Sequence, residues 1–152
     1  MILAYKFQQR LGLGRRLMEC LLEAFERGAA AFPEIEACEG IVPVPLHPRR
    51  LLWRGFNQSR EIARLLSARH KLPIWQDALT RVRRTVPQMT LAREARAESI
   101  RGAFAADKKR LAGRSVLLVD DIMTTGATIE ECAQVLLRAG ALRVDVLVLA
   151  RA

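Results

Sequence analysis

The chain has 152 residues, 51% of them hydrophobic, and carries 25 Lys and Arg against 16 Asp and Glu, a formal net charge of +9. That length suits one α/β domain over 1–152 with a real core, and the apolar content argues against wholesale disorder. No apolar run approaches the ~20 residues of a membrane span, and residues 1–6 lack the charged head and longer apolar stretch of a signal peptide, so a cytoplasmic protein without membrane contact is expected.

The basic excess favours an anionic partner; nucleic acid, nucleotide and pyrophosphate all qualify. Aromatic residues make up only 5% of the chain, which speaks against a stacking platform for single strands. Cys20, Cys38 and Cys132 are odd in number and fit no metal-knuckle spacing. They read as small buried hydrophobes in a reducing compartment, and no metal held directly by protein ligands is expected.

In chain order, Leu13, Leu17, Met18, Leu21, Leu22 and Phe25 recur at helical spacing, and Gly28 is placed to end that helix. Gly40-Ile41-Val42-Pro43-Val44-Pro45 reads as a short strand whose prolines interrupt pairing at a strand's end or edge. Arg54-Gly55-Phe56-Asn57-Gln58 reads as loop running into a helix with Asn57 as N-cap, continuing through Ile62, Leu65 and Leu66 to about Arg69. His70 follows at the helix end, where the dipole favours a cation. Residues 72–74 and 78–82 are short strand candidates. Trp53 and Trp75 read as packing groups or partner contacts rather than base-stacking platforms, and Phe56 and Phe104 as core.

Between Arg83 and Phe104 the pattern changes: Arg83, Arg84, Arg93, Arg96 and Arg101 meet only Glu94 and Glu98, and apolar residues are thin. A partly helical, exposed excursion over about 83–103 is expected, of the kind that serves as a binding loop.

The last third is the clearest. Val116-Leu117-Leu118-Val119 is a continuous branched run, as in a strand buried on both faces. Ile129, Cys132, Ala133, Leu136 and Leu137 form one apolar helix stripe, stopped by Gly140, and Val144, Val146 and Val148 alternate in a final strand. A strand–helix–strand unit of this kind joins parallel strands by a right-handed crossover. With the earlier signals it implies an open, mainly parallel sheet with helices on both faces.

Ligands of such sheets bind outside the carboxyl ends of the strands. Asp120 and Asp121 stand there, followed by the turn Met123-Thr124-Thr125-Gly126-Ala127-Thr128. Free N–H groups at a helix start favour a phosphate, Gly126 lets the backbone approach it, and the Thr hydroxyls add donors. Two carboxylates beside a phosphate make sense as acceptors for sugar hydroxyls or as aids to a divalent cation. A Thr-rich turn alone often merely caps a helix; the whole sequence VLLVDDIMTTGAT is far more restrictive, and is neither a Walker loop nor a G-x-G-x-x-G fingerprint.

VLLVDDIMTTGAT resembles the phosphoribosyl-pyrophosphate motif of type I phosphoribosyltransferases. More narrowly, VPVPLHPRR (42–50), RGFNQS (54–59), Arg84-Thr85-Val86-Pro87-Gln88 and Ile100-Arg101-Gly102-Ala103-Phe104 resemble the competence protein F family of that superfamily. The likeness runs from Tyr5 to the C-terminus. The four cysteines of the N-terminal zinc ribbon usual in that family are not present, and Ser99 stands where the family commonly has Asn.

The resemblance implies that Asp120 and Asp121 act at the ribose hydroxyls and that Thr124, Thr125, Gly126, Ala127 and Thr128 surround the 5-phosphate. It puts Leu46, His47, Pro48 and Arg49 at the pyrophosphate, and has Arg84, Thr85 and Gln88 begin a flexible loop over the site. It implies phosphoribosyl pyrophosphate or a nucleoside monophosphate as ligand, Mg²⁺ bound with the substrate, and transfer to a nitrogen acceptor. Two other functions stay open. One is a regulatory module that binds the same ligand without catalysis. The other is a DNA-uptake factor whose partners are single-stranded DNA or uptake proteins. A homodimer also stays open.

Overall fold

The computed structural model describes Glu23 and residues 37–48, 51–52, 55–83 and 98–151. Within them the chain runs β1 (Gly40–Pro43), α1 (Gln58–His70), β2 (Leu79–Arg81), β3 (Phe104–Ala106), α2 (Lys108–Leu111), β4 (Ser115–Met123), α3 (Ala127–Arg138) and β5 (Arg143–Arg151). The N-terminal helix expected around Leu13–Phe25, Gly28, Cys20, Arg49, Arg50, Trp53, Arg54 and the loop residues Arg84, Thr85 and Gln88 lie outside the described residues.

The principal sheet has the order β1-β4-β5, all parallel. Its core follows from strand alternation. Ile41, Leu117, Val119 and Leu147 point to one face and bury against Ile62, Ala63 and Leu66 of α1. Val42, Val44, Val116 and Leu118 point to the other and bury against Ile129, Cys132 and Leu136 of α3. Both faces of the sheet are therefore covered by helix, which is why 116–119 reads as unbroken Val and Leu rather than alternating. Each large aliphatic side chain removed from water contributes about 1.5–3 kcal/mol before conformational entropy is set against it.

Several sequence expectations hold in detail. Asn57 caps α1, its side chain accepting from the Ser59 N–H at 3.1 Å. α3 ends at Arg138 and Gly140 follows at φ 101°, the left-handed turn that a glycine adopts without a Cβ penalty. Trp75 is a packing group: a Cβ on Gly40 would come within 2.5 Å of its indole, so the missing side chain at the start of β1 is what lets the ring lie there.

Others are corrected. Residues 72–74 form no strand; Ile74 makes a single bridge to Ile41, flanked by Ile41 N–H to Pro73 O at 2.8 Å and Trp75 N–H to Ile41 O at 2.9 Å. The segment at 78–82 does form a strand, β2, but it joins no parallel sheet. It pairs antiparallel with β3, Arg81 opposite Phe104, and the Arg81 guanidinium lies 5.4 Å from the Phe104 ring centroid. β4 is longer than the Val116–Val119 run: its ladder carries on through Asp120↔Val148 to Met123↔Arg151. The two acids therefore sit within paired strand, not in the loop beyond it.

The β2–β3 pair is the stem of the excursion. Val82 N–H and Arg83 N–H both donate to Ala103 O, and the Arg83 guanidinium donates to Ser99 O at 3.0 Å and Arg101 O at 2.6 Å. The stem rests on α3 through Gly102 N–H to the Glu131 carboxylate at 2.8 Å. At the opposite, amino end of the principal sheet, Glu39 pairs with Arg114 and accepts from Ser115 N–H at 3.2 Å. The Arg114 guanidinium first, and that N–H second, hold the Glu39 carboxyl below its ordinary range.

Candidate functional site at the carboxyl end of the parallel sheet

A shallow concavity opens where β4 gives way to α3, lined by Asp120, Ile122, Met123, Thr124, Thr125, Gly126, Ala127, Thr128 and Ile129. The predicted phosphate turn thus surrounds a single space, and Asp120 faces the same space. Asp121, expected beside it, is half-buried and adjoins this lining without being part of it.

Gly126 determines the turn. It takes φ 83° and ψ −13°, a left-handed conformation, at the N-cap position of α3. A residue with a Cβ is strained there, and that Cβ would stand 3.6 Å from the Met123 sulfur, on the wall of the concavity. The cap residue brings no side chain to the helix start, and the first N–H groups of a helix have no acceptor within the helix. Thr125 Oγ1 takes a long hydrogen bond from Ala127 N–H at 3.5 Å. The start of α3 thus sets the positive end of its dipole beside a polar hollow.

The acids are held differently. Asp120 Oδ1 accepts from the Ser59 hydroxyl and from Asp121 N–H, both at 2.9 Å. Asp121 Oδ1 accepts from Ile122 N–H at 2.8 Å. In each carboxylate one oxygen is tied to backbone, which restricts the rotation of the side chain. Ser59, only 4% exposed, was not among the residues singled out from sequence. Its motif, RGFNQS, was visible, but the contact spans 61 positions and no local pattern announces it.

Leu46 and His47 are half-buried and Pro48 is exposed; they leave the sheet at this same carboxyl end, since Val44 N–H donates to Val119 O at 2.9 Å, one residue before Asp120. They are not among the residues lining the concavity. His47 O accepts from Leu51 N–H at 3.0 Å.

Two buried thiols lie outside the site. Burial, with Asp145 accepting from the thiol at 3.4 Å, pushes Cys38 up to about 12. Burial raises Cys132 well above the ordinary thiol range, the nearby Asp120 charge adding to it. Both remain protonated at neutral pH, as poor nucleophiles. Among the described residues no group of three or more His, Cys, Asp or Glu is placed to hold a metal ion, and no helix is long and apolar enough to cross a membrane.

Residues 55–152 match the family model described as phosphoribosyl transferase domain. Over its full length the chain is 34% identical to Competence protein F of Haemophilus influenzae, of which it covers 67%. It is 41% identical over 111 residues to DNA utilization protein YhgH of Escherichia coli K12, covering 73% of this chain and 48% of that one. To the protein of the same name in Salmonella typhimurium it is 36% identical over 148 residues, 96% of this chain and 63% of that one. The chain therefore spans between about half and two thirds of these relatives.

Proposed function

The chain belongs to the phosphoribosyltransferase superfamily and, within it, to the competence protein F family, and from that membership we propose that it binds phosphoribosyl pyrophosphate with Mg²⁺ and transfers the phosphoribosyl group to a nitrogen acceptor. The observation that carries this reading is the single concavity shared by Asp120 and the Gly126 turn. A sugar phosphate needs donors for its phosphate and acceptors for its hydroxyls, side by side, and that is the chemistry of this lining.

In the proposed complex the N–H groups at the start of α3, with Thr124, Thr125 and Thr128 and the close backbone of Gly126 and Ala127, hold the 5-phosphate. Asp120 and Asp121 accept from the ribose hydroxyls. Leu46, His47, Pro48 and Arg49 lie toward the pyrophosphate, and Arg84, Thr85 and Gln88 belong to the loop over it. The acceptor nitrogen attacks the anomeric carbon, the bond from that carbon to the pyrophosphate oxygen breaks, and its electron pair leaves with the pyrophosphate. The proton shed by the nitrogen passes to solvent. Positive charge that develops on the ribose ring is stabilised by the two carboxylates. Asp120 and Asp121 would be the protein groups able to assist a Mg²⁺ ion brought in with the ligand, and the ion would supply charge neutralisation for the leaving pyrophosphate.

Thermal-shift titration with phosphoribosyl pyrophosphate and Mg²⁺ tests the reading. Wild type is expected to be stabilised, and Thr125→Ala to need more ligand for the same shift. Equal behaviour of the two, or no shift in either, refutes it. Pyrophosphate release screened across bases, amines and ammonia then separates transfer from binding as a regulatory signal.

A second reading has its own observation: the relatives are named for competence and DNA utilization, and this chain is basic by +9. Contact with single-stranded DNA on that basis rests on charge, so its affinity should fall steeply with salt in a gel shift; salt-indifferent binding counts against it.

A further inference from the structure

The three buried polar residues Asn57, Gln58 and Ser59 stand together at the start of α1, in a protein whose other fully buried described side chains are apolar. Two of them close a circuit of hydrogen bonds. Val44 N–H donates to Val119 O at 2.9 Å. The Asn57 amide donates to Val44 O at 3.0 Å, and its oxygen accepts from Ser59 N–H at 3.1 Å. The Ser59 hydroxyl donates to Asp120 Oδ1 at 2.9 Å. The path leaves β4 at Val119, crosses to the end of β1 and to the start of α1, and returns to β4 at the next residue.

Cap and hydroxyl have separate tasks in this arrangement. Asn57 alone satisfies the helix start, and a Ser at the second helical position is not needed for capping. Burying a hydroxyl is unfavourable unless it is hydrogen-bonded, and the partner here is one oxygen of a carboxylate that faces the candidate site. That oxygen receives two donors, Ser59 and Asp121 N–H, which fixes the carboxylate's rotation.

We propose that Ser59 is a positioning residue that sets the orientation of the Asp120 carboxylate toward the hydroxyls of a bound sugar phosphate. The proposal rests on the reading of the concavity as a sugar-phosphate site, and deepens it. Through Asn57 and Val44, Ser59 also ties that orientation to the segment that leaves β1 at Leu46. The site's acid and the chain that leads toward its far side are thereby held as one unit.

The test measures affinity for ribose 5-phosphate and for 2-deoxyribose 5-phosphate by calorimetry, in wild type, Ser59→Ala, Ser59→Thr and Thr125→Ala. Wild type is expected to prefer ribose 5-phosphate. Ser59→Ala should lose roughly threefold to tenfold for ribose 5-phosphate, the effect of one misplaced hydrogen bond, with the deoxy sugar held as before. Ser59→Thr, which keeps the hydroxyl, should restore the preference. A loss shared equally by both sugars in Ser59→Ala would mark a merely structural role and overturn the proposal. So would an unchanged preference in Ser59→Ala while Thr125→Ala weakens both sugars, a result that leaves the phosphate site standing. If neither sugar phosphate binds wild type, or Thr125→Ala binds as wild type does, the sugar-phosphate reading itself fails and takes the proposal with it.

Discussion

Two helices begin at the carboxyl end of the principal sheet, and they begin in opposite ways. α1 starts from Asn57 in extended backbone, φ −119°, with the side chain turned back onto Ser59 N–H and the amide spent on Val44 O. α3 starts from Gly126 in left-handed backbone, φ 83°, and the cap residue has no side chain to offer. The first helix start is closed by the protein's own groups. The second presents its donors to a polar hollow. A helix N-terminus serves best as an anion site where its cap residue brings no side chain of its own, and at one end of one sheet this protein has a helix start of each kind, the α3 start holding only the long contact from Ala127 N–H to Thr125 Oγ1.

Four substitutions break or sharpen that contrast. Gly126→Val should have the largest effect. A β-branched residue in left-handed backbone costs about 1–2 kcal/mol, and its bulk enters the concavity, so affinity for ribose 5-phosphate should drop roughly a hundredfold or more by calorimetry. Asn57→Ala should lower unfolding free energy in urea by about 2 kcal/mol, since it removes a cap and orphans a buried carbonyl, while affinity for inorganic phosphate stays unchanged. Thr125→Ala should show the reverse: stability within about 0.5 kcal/mol of wild type and roughly tenfold weaker binding of ribose 5-phosphate. The smallest effect is expected at α2, a helix at the far end of the molecule capped by Asp107 onto Lys109 N–H at 3.0 Å. Asp107→Ala should cost about 0.5–1 kcal/mol and leave every ligand alone. If Asn57→Ala weakened phosphate binding as much as Thr125→Ala, the division between a closed and an open start would not hold.

Much of this was legible in the sequence, for identifiable reasons. The unit from β4 through α3 to β5 is written in long, strongly patterned segments, and the Asn57 cap and the Gly140 stop are single residues with local physical causes. β3 was missed because Phe104-Ala105-Ala106 is too short to carry a period and its partner lies 25 residues away across the excursion. α2, a single turn of Lys108–Leu111, likewise has no room for a pattern. The acids were placed beyond the strand because charged residues depress strand propensity, yet pairing with β5 carries the ladder past them. At the site, the phosphate turn could be read because its donors are contiguous. Ser59 could not, because its purpose is defined by a carboxylate on another element. Local order in sequence reveals what the backbone does; the partners of buried hydroxyls are decided only by the fold.

The alternation along β4 has a consequence for comparing this chain with its relatives. Val116 and Leu118 belong to one core, Leu117 and Val119 to the other, and the same strand delivers Asp120 one step later. Inserting or deleting a single residue between 116 and 120 would swap strand residues between the two cores and shift the acid relative to Ser59, and one between 120 and 126 would shift the acid relative to Gly126. Substitutions in this stretch are therefore graded in their damage, whereas gaps are not. An alignment of functional members of the family should show it free of insertions and deletions, with length variation confined to segments such as the excursion whose ends are tied by Arg83.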